Sequence, residues 1–514
     1  MKEFTVLIGG PNGYGINEAC MILCRLFTRL GYHIYGYNDF PSVIRGQHQF
    51  ALVRAAEKKI AAHKRKPDIV LALDQETLDL HRTDFLPDTL ILYDSDKAMG
   101  ATGLVAVLAK QLGIGWPMVE EVVRKHHPGK VGAELELMRR LYDQTQRSFP
   151  PDRTAAGEAN HGNPQPVLNG CQAIGFGLLQ TGLKAYTAYP MTPTSPILEF
   201  FAGLEREAGL QVVLPESEIA VIMTALGYAY MGVKNAIGTS GGGFSLMVEG
   251  LGLSGMSELP VVTIMGQRAG PSTGMPTYTG QTDLMFVLHA GHGEFSRFVV
   301  APGDAEEAYY WAGVGMNKAW KFRMPAIVLI DKTLGLGIFN FDRQAAPMLE
   351  EESVMDGREI PGNGGVIKAN SYIHDKMGYA RENPEIAKAS SDNLVNKEKL
   401  LAEDLETYEQ VKVYGDGNTA LLCWGSNKGV CVETATKLGL KAIQIVVLSP
   451  FPRKAVARAL EGVEQVISME CNAKGQMAKL MAQNGFPVDA KVLKYDGRPF
   501  ALEDLEAELK KVIK

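Results

Sequence analysis

Leu183-Lys184-Ala185-Tyr186-Thr187-Ala188-Tyr189-Pro190-Met191-Thr192-Pro193-Thr194-Ser195-Pro196 is the stretch that decides the fold. Its first seven residues form a mostly apolar run of strand length, and Pro190 and Pro193 stiffen the turn that follows. Ser195 can cap and Pro196 can open a helix over 196–207. A helix over 170–181 leads into the strand. Strand, tight turn and helix in this order build a parallel sheet covered by helices. Outward from this point the alternation continues through strand 211–214, helix 218–231, strand 235–239, helix 244–257 and strand 260–265, and it runs on to Ile330.

The first third alternates in the same way, with strands over 5–8, 32–37, 68–73 and 89–93 and helices over 16–30 and 104–112. The helices end on Gly31 and Gly113. Residues 151–166 are polar, aperiodic and rich in Pro and Gly, as expected of a linker. Residues 341–415 are polar and charged with poor strand content, which predicts an irregular arm. Alternation returns at the end: strand 419–424, helix 428–438, strand 441–448, helix 453–461, strand 465–469, helix 473–483 and strand 491–495. The expected organisation is α/β, with three parallel-sheet domains at 1–150, 167–340 and 416–514.

The chain has 514 residues, room for about three domains. Its 52 Lys and Arg against 58 Asp and Glu give a net charge of −6, with no basic field for a nucleic acid. No apolar run approaches the roughly 20 residues that cross a bilayer, and the apolar stretch at the start is too short for a signal peptide. A soluble, cytoplasmic protein is expected. The six cysteines form no C-x-x-C pair, which argues against a zinc or iron–sulfur site built by this chain. His289 and His292 lie in a glycine-flanked loop with no third ligand placed beside them, so no metal site is assigned.

Ligands of open parallel sheets bind beyond the carboxyl ends of the strands. In the middle domain those ends carry Thr192 between two prolines, Glu216 and Glu218 at a helix start, Ser240-Gly241-Gly242-Gly243 as a bare turn, and Arg268, whose fork suits a carboxylate. A hydroxyl, a carboxylate, a glycine turn and a guanidinium on one edge suit a small carboxylic acid and a heteroaromatic cofactor.

Tyr189-Pro190-Met191-Thr192-Pro193-Thr194-Ser195, Glu216-Ser217-Glu218-Ile219-Ala220, Thr239-Ser240-Gly241-Gly242-Gly243-Phe244-Ser245-Leu246-Met247 and Gly270-Pro271-Ser272-Thr273-Gly274-Met275-Pro276-Thr277 resemble the alpha subunit of 2-oxoacid:ferredoxin oxidoreductases. Gly291-His292-Gly293-Glu294-Phe295, Trp424-Gly425-Ser426, Pro450-Phe451-Pro452 and Glu470-Cys471-Asn472-Ala473-Lys474-Gly475-Gln476 continue the pattern. The likeness runs from residue 167 to the end, and the first third is similar to the family's gamma domain fused in front.

The resemblance implies a Rossmann-like gamma domain, a thiamine-diphosphate pyrimidine-binding domain and a transketolase C-terminal-like domain. It also implies oxidative decarboxylation of a 2-oxoacid, acyl transfer to CoA and one-electron transfers to ferredoxin, in a reaction that can run in reverse as CO2 fixation. Under it, Glu218 is the carboxylate that shares a proton with the aminopyrimidine, with Glu216 in reserve. Thr192 and Arg268 hold the substrate, and Tyr189, Pro190, Ser240 and Gly241 line the cofactor. The diphosphate motif of thiamine enzymes is absent: Tyr414-Gly415-Asp416-Gly417-Asn418 reads as a turn before a strand. The resemblance therefore places Mg2+, the [4Fe-4S] cluster and the diphosphate site on a separate beta subunit, in an (alpha-beta)2 heterotetramer. The chain alone should be inactive.

2-Oxoglutarate is the expected substrate, with 2-oxoisovalerate and pyruvate as alternatives. A dicarboxylic substrate would need a second cation, and spacing alone nominates none. Two readings come from other classes. Gly9-Gly10-Pro11-Asn12-Gly13-Tyr14-Gly15 with Asp39 suggests an NAD-binding dehydrogenase subunit, although the loop fails the G-x-G-x-x-G spacing. A non-catalytic scaffold is the other. The run Lys58-Lys59-Ile60-Ala61-Ala62-His63-Lys64-Arg65-Lys66 reads as a solvated helix face, and residues 371–379 as a subunit-contacting arm.

Overall fold

The apolar run at the N-terminus forms the strand Glu3–Pro11, buried from Phe4 onward. The computed structural model describes residues 1–42, 47–126, 132–150, 165–344, 346–352, 360–362, 370–375 and 377–513. It divides into two units. The first comprises Met1–Asn169, Leu336–Arg343 and Ala501–Ala507, and the second Gly170–Gly335, Gln344–Phe500 and Glu508–Lys514.

The first unit holds a seven-stranded sheet in the order Leu90–Tyr93, Ile69–Ala72, Glu3–Pro11, His48–Ala56, His33–Asp39, Ile338–Asn340, Val167–Asn169. Leu90–Tyr93, Ile69–Ala72 and Glu3–Pro11 run parallel. His48–Ala56 is antiparallel to both of its neighbours, so the expected all-parallel sheet is corrected to a mixed one. A central arginine hides this strand in the sequence. Arg54 is buried because its guanidinium donates to Glu3 Oε1 at 2.8 Å and to the Ala62 carbonyl at 2.8 Å.

The helix Ile16–Arg29 lays Ile16, Cys20, Leu23 and Phe27 on the sheet, and Phe27 meets Phe4 edge-on at 4.9 Å. The basic run 58–66 is not a helix. Its charges find partners distant in sequence: Lys64 pairs with Glu3, and Arg65 with Asp84 and Asp504. Asp39, linked above to the NAD-binding reading, is buried and accepts from the Tyr37 hydroxyl at 3.0 Å.

The second unit holds two sheets. One has the order Val447–Ser449, Phe298–Val300, Ala326–Asp331, Val262–Gln267, Asn235–Ser240, Ala185–Ala188, Gln211–Val213, parallel except for its first strand. The other has the order Val411–Tyr414, Lys441–Ile445, Thr419–Cys423, Gln465–Glu470, Ala490–Leu493, again with an antiparallel first strand.

A shared core including Leu251, Met265, Leu329, Trp424 and Ile443 joins these two sheets. Fully buried Gln281 stitches their strand ends together. It donates to the Trp424 carbonyl at 2.9 Å, while its own amide oxygen accepts from Asn427 at 2.6 Å and from the Cys471 N–H at 3.0 Å.

Residues 341–415 are less irregular than expected. They include the 21-residue helix Pro384–Asp404, capped by Asn383, and the strand Val411–Tyr414. The helix shows only a thin apolar stripe in the sequence because part of its buried face is charged: Lys397 is buried against Glu258 at 2.8 Å. Residues 151–164 of the expected linker and Lys376 lie outside the described residues. No helix among the described residues is long and apolar enough to cross a membrane.

Candidate active site

Parallel register sets the site. Gly266 pairs with Ser240 and Ala188 with Gly238, so three neighbouring strands end level and deliver Arg268, Ser240-Gly241 and Tyr189–Thr192 to one edge. A cleft of about 760 Å³ opens there, lined in part by Ser240, Gly241, Arg268, Ser272, Asp283 and Lys474.

Arg268 is buried and donates through Nη1 to the Thr192 carbonyl at 3.4 Å. Among the described residues its Nε has no hydrogen-bond partner, and neither has the fully buried Ser240 hydroxyl. Both residues line the cleft, and buried polar groups without internal partners are donors that a bound ligand would satisfy. Burial holds the Arg268 guanidinium below its ordinary pKa, with Asp283 acting the other way.

The stretch 241–243 is the first turn of the helix Gly241–Ser257 rather than a bare turn. Glycine is a poor helix former, so contacts rather than propensity explain the run. A Cβ at Gly243 would lie 2.4 Å from Thr239 Oγ1, 2.7 Å from Met191 Sδ and 2.8 Å from Glu218 Cγ. A Cβ at Gly241 would lie 3.2 Å from both carboxylate oxygens of Asp283. The missing side chains let Glu218 and Asp283 approach the helix start from two directions.

Glu218 begins the helix Glu218–Tyr230, where an acid is favoured, and Ser217 caps that helix by accepting from the Ala220 N–H at 3.3 Å. Glu218 is buried, whereas Glu216 is exposed. The carboxylate of Glu218 makes no hydrogen bond or ion pair among the described residues. Helix 195–208 starts one residue earlier than expected, with Thr194 at the cap position and Ser195 inside. Tyr189 and Pro190 are exposed beyond their strand and, like Thr192 and Glu218, lie outside the cleft lining.

Two cleft residues were not singled out by sequence reasoning. Asp283 follows Gln281, and its N–H is fixed by Gln267 Oε1 at 3.1 Å. Burial pushes its carboxyl up to about 6, against Thr282 and Arg268, which lower it. No local pattern marks Asp283. Lys474 leaves the strand Gln465–Glu470 on a loop held by Asn472, whose side-chain oxygen accepts from the N–H groups of Lys474 and Gln476 at 3.1 and 3.3 Å. Gln476 ties the loop to the cleft: it accepts from the Met285 N–H at 2.9 Å and donates to the Thr282 carbonyl at 2.6 Å. The strand-end rule, applied to this sheet as well, points to the loop.

Known proteins resemble both units. Residues 177–356 match the family model of the thiamine-diphosphate-binding part of pyruvate flavodoxin/ferredoxin oxidoreductase, and residues 5–139 match that of pyruvate ferredoxin/flavodoxin oxidoreductase. The class is that of oxidoreductases linked to ferredoxin or flavodoxin. A 2-oxoglutarate synthase subunit KorA from Archaeoglobus fulgidus is 30% identical, over 61% of this chain and 89% of the relative. Subunit alpha of 2-oxoacid:ferredoxin oxidoreductase 2 from Aeropyrum pernix is 28% identical, over 100% of this chain and 98% of the relative. The chain belongs to the 2-oxoacid:ferredoxin oxidoreductase family, as an alpha subunit. Its fold is that of the 2-oxoglutarate:ferredoxin oxidoreductase from Magnetococcus marinus, with a TM-score of 0.88, 24% identity and 99% of both chains covered.

Proposed function

We propose that this chain, joined to a beta subunit, converts 2-oxoglutarate and CoA to succinyl-CoA and CO2, releasing one proton and passing two electrons singly to ferredoxin. The single observation that carries the reading is the grouping of Glu218, Ser240 and Arg268 on one strand-end edge: among the described residues the Ser240 hydroxyl and Arg268 Nε have no hydrogen-bond partner, and the Glu218 carboxylate makes no hydrogen bond or ion pair. Residues 1–150, 167–340 and 416–514 take the parts of gamma, pyrimidine-binding and C-terminal domains, joined by the linker 151–166 and the arm 341–415. The assembly is an (alpha-beta)2 heterotetramer in the cytoplasm, where the six cysteines, all free, stay reduced.

The site fits the aminopyrimidine half of thiamine diphosphate. A buried carboxylate that makes no hydrogen bond or ion pair among the described residues can accept a proton shared with a ring nitrogen, and Gly243 lets that carboxylate's side chain approach the start of helix Gly241–Ser257. Glu218 would hold that ring, with Tyr189, Pro190, Ser240 and Gly241 around it. Bound thiamine diphosphate supplies the electron sink for decarboxylation. Mg2+ and the [4Fe-4S] cluster belong to the beta subunit, and CoA is the cosubstrate.

The chain's own residues bind and orient. Arg268, its side chain braced against the Thr192 carbonyl, presents its fork to the carboxylate next to the keto group, and the Thr192 hydroxyl donates to the same end of the substrate. Glu218 holds and returns one proton.

Exposed apolar side chains flank Glu218. Ile219 and Met223 lie one turn apart at 53% and 43% exposure, a face suited to the beta subunit. The test is CoA-dependent viologen reduction by the anaerobically copurified complex, with 2-oxoglutarate, pyruvate and 2-oxoisovalerate compared. Preference for 2-oxoglutarate is expected, and Glu218→Gln should cut the rate roughly 10²- to 10⁴-fold while the cluster absorbance persists. Reduction with none of the acids would refute the activity, and an undiminished Glu218→Gln complex would refute the role of the glutamate.

A further inference from the structure

Sequence spacing nominates no partner for a second substrate carboxylate, and the folded chain supplies one. Among the residues that line the strand-end cleft, the cations are Arg268 and Lys474, and the acid is Asp283. Arg268 and Asp283 stand together at the end of strand Val262–Gln267, and each opposes the other's burial shift. Lys474 enters from the other sheet of the same unit. It is exposed, and its ammonium has no hydrogen-bond or ion-pair partner among the described residues.

We propose that Lys474 is the specificity-determining cation of this site: it receives the distal carboxylate of a dicarboxylic 2-oxoacid whose proximal carboxylate is held by Arg268. The inference rests on the activity proposed above and adds the residue that selects the substrate class.

Three observations favour it. First, the Lys474 backbone is fixed: Asn472 holds the loop from within, and Gln476 bolts it to Thr282 and Met285, the residues on either side of Asp283 and Leu284. The ammonium therefore swings from an anchored base, and less freedom is lost when it meets an anion. Second, the Lys474 side chain is exposed among the residues that line the cleft, and among the described residues its ammonium is unpaired. A branched aliphatic side chain would strip water from this ammonium without replacing its hydrogen bonds, whereas a carboxylate accepts from it. Third, Arg268 and Lys474 line one cleft from different sheets, an arrangement that offers a doubly charged substrate a cation for each end and a singly charged acid only one. Coulomb attraction in a partly enclosed cleft exceeds that in open water.

The experiment is steady-state kinetics of the assembled alpha–beta complex carrying Lys474→Met, with 2-oxoglutarate, pyruvate and 2-oxobutyrate as substrates and CoA varied separately. The ratio of kcat/KM for 2-oxoglutarate to that for pyruvate should fall about 10- to 100-fold, the loss expected for one charged hydrogen bond, and the fall should come mainly from weaker saturation by the dicarboxylic acid. Lys474→Arg should recover part of the ratio. Activity on the singly charged acids and the cluster absorbance report that the variant complex is assembled.

An unchanged ratio in a complex whose wild type prefers 2-oxoglutarate would overturn the role of Lys474 and leave the proposed activity standing. Weaker saturation by CoA, with saturation by the dicarboxylic acid unmoved, would also overturn it, assigning the ammonium to a phosphate of the cosubstrate. A wild-type complex that prefers singly charged acids would overturn the dicarboxylate reading itself.

Discussion

Asp283 is the cleft residue whose chemistry most exceeds its visibility in the sequence. Its carboxyl rises from an ordinary 3.8 to about 6 because burial disfavours the charged form. The sign follows from proton uptake. Between these two values the folded chain holds a proton that the unfolded chain has released, so stability falls as pH rises through the window and stays reduced above it. Asp283→Asn removes that charge. The variant should be more stable than the parent at pH 8 by about 1–3 kcal/mol, the upper figure applying to a carboxylate shielded from cleft water. The gain should shrink toward zero near pH 4. Calorimetric unfolding of both proteins at pH 4.5 and 8 checks this, and an equal difference at the two pH values would mean that charge is not the cause. Sequence reading reached the neighbouring residues by another route. Glu218 and Glu216 both stand after a strand, and only folding separates them, burying one beside Gly243 and exposing the other.

At the scale of elements, the start of helix Gly241–Ser257 trades propensity for access. Gly243→Ala would gain up to about 1 kcal/mol of helix propensity. Its Cβ would also press within 2.8 Å of Thr239, Met191 and Glu218, so those side chains must move. The expected variant folds with near-parental stability yet loses roughly 10²-fold in kcat through displacement of Glu218. Single-turnover viologen reduction together with a thermal melt separates the two effects, and full activity would show that the carboxylate tolerates the shift. By contrast, Gly203→Ala in helix Ser195–Ala208 meets nothing within 4 Å and should alter neither the rate nor the fold.

The same contrast explains what the sequence carries and what it does not. Strands such as Val262–Gln267 and Asn235–Ser240 are legible because they are apolar runs of strand length closed by Gly or a polar turn, and their parallel order follows from the helices between them. The strand His48–Ala56 is not legible in this way, because Arg54 becomes a core residue only through Glu3 and Ala62, partners supplied by folding. The basic run 58–66 fails as a helix for a related reason: its charges are fixed by Glu3, Asp84 and Asp504, which local periodicity cannot register. Lys474 sits within a motif whose neighbours are readable, but its place beside the Arg268 cleft depends on two sheets meeting through Gln281.

At the scale of the whole molecule, the helix Glu218–Tyr230 carries no charged residue after Glu218, and the helix Gly241–Ser257 packed beside it carries only Glu249. A helix that meets water is normally polar on its outer face. Here the outer face presents Ile219 and Met223, with Leu246 on the neighbouring helix at 50% exposure. Such a surface next to the proposed cofactor site suits a subunit made to be covered, and the family's alpha subunits take their name from assembly with others. Met223→Asp places a charge where the beta subunit would exclude water, and an unpaired buried charge is strongly unfavourable. The alpha–beta dissociation constant should rise by roughly 10²-fold or more, as at a central interface residue. Mass photometry across a dilution series measures it. Because Met223 stands a full turn from Glu218, activity should follow the fraction assembled and return at high subunit concentration. A variant that assembles normally yet reduces no viologen would show instead that this face serves the chemistry and not the interface.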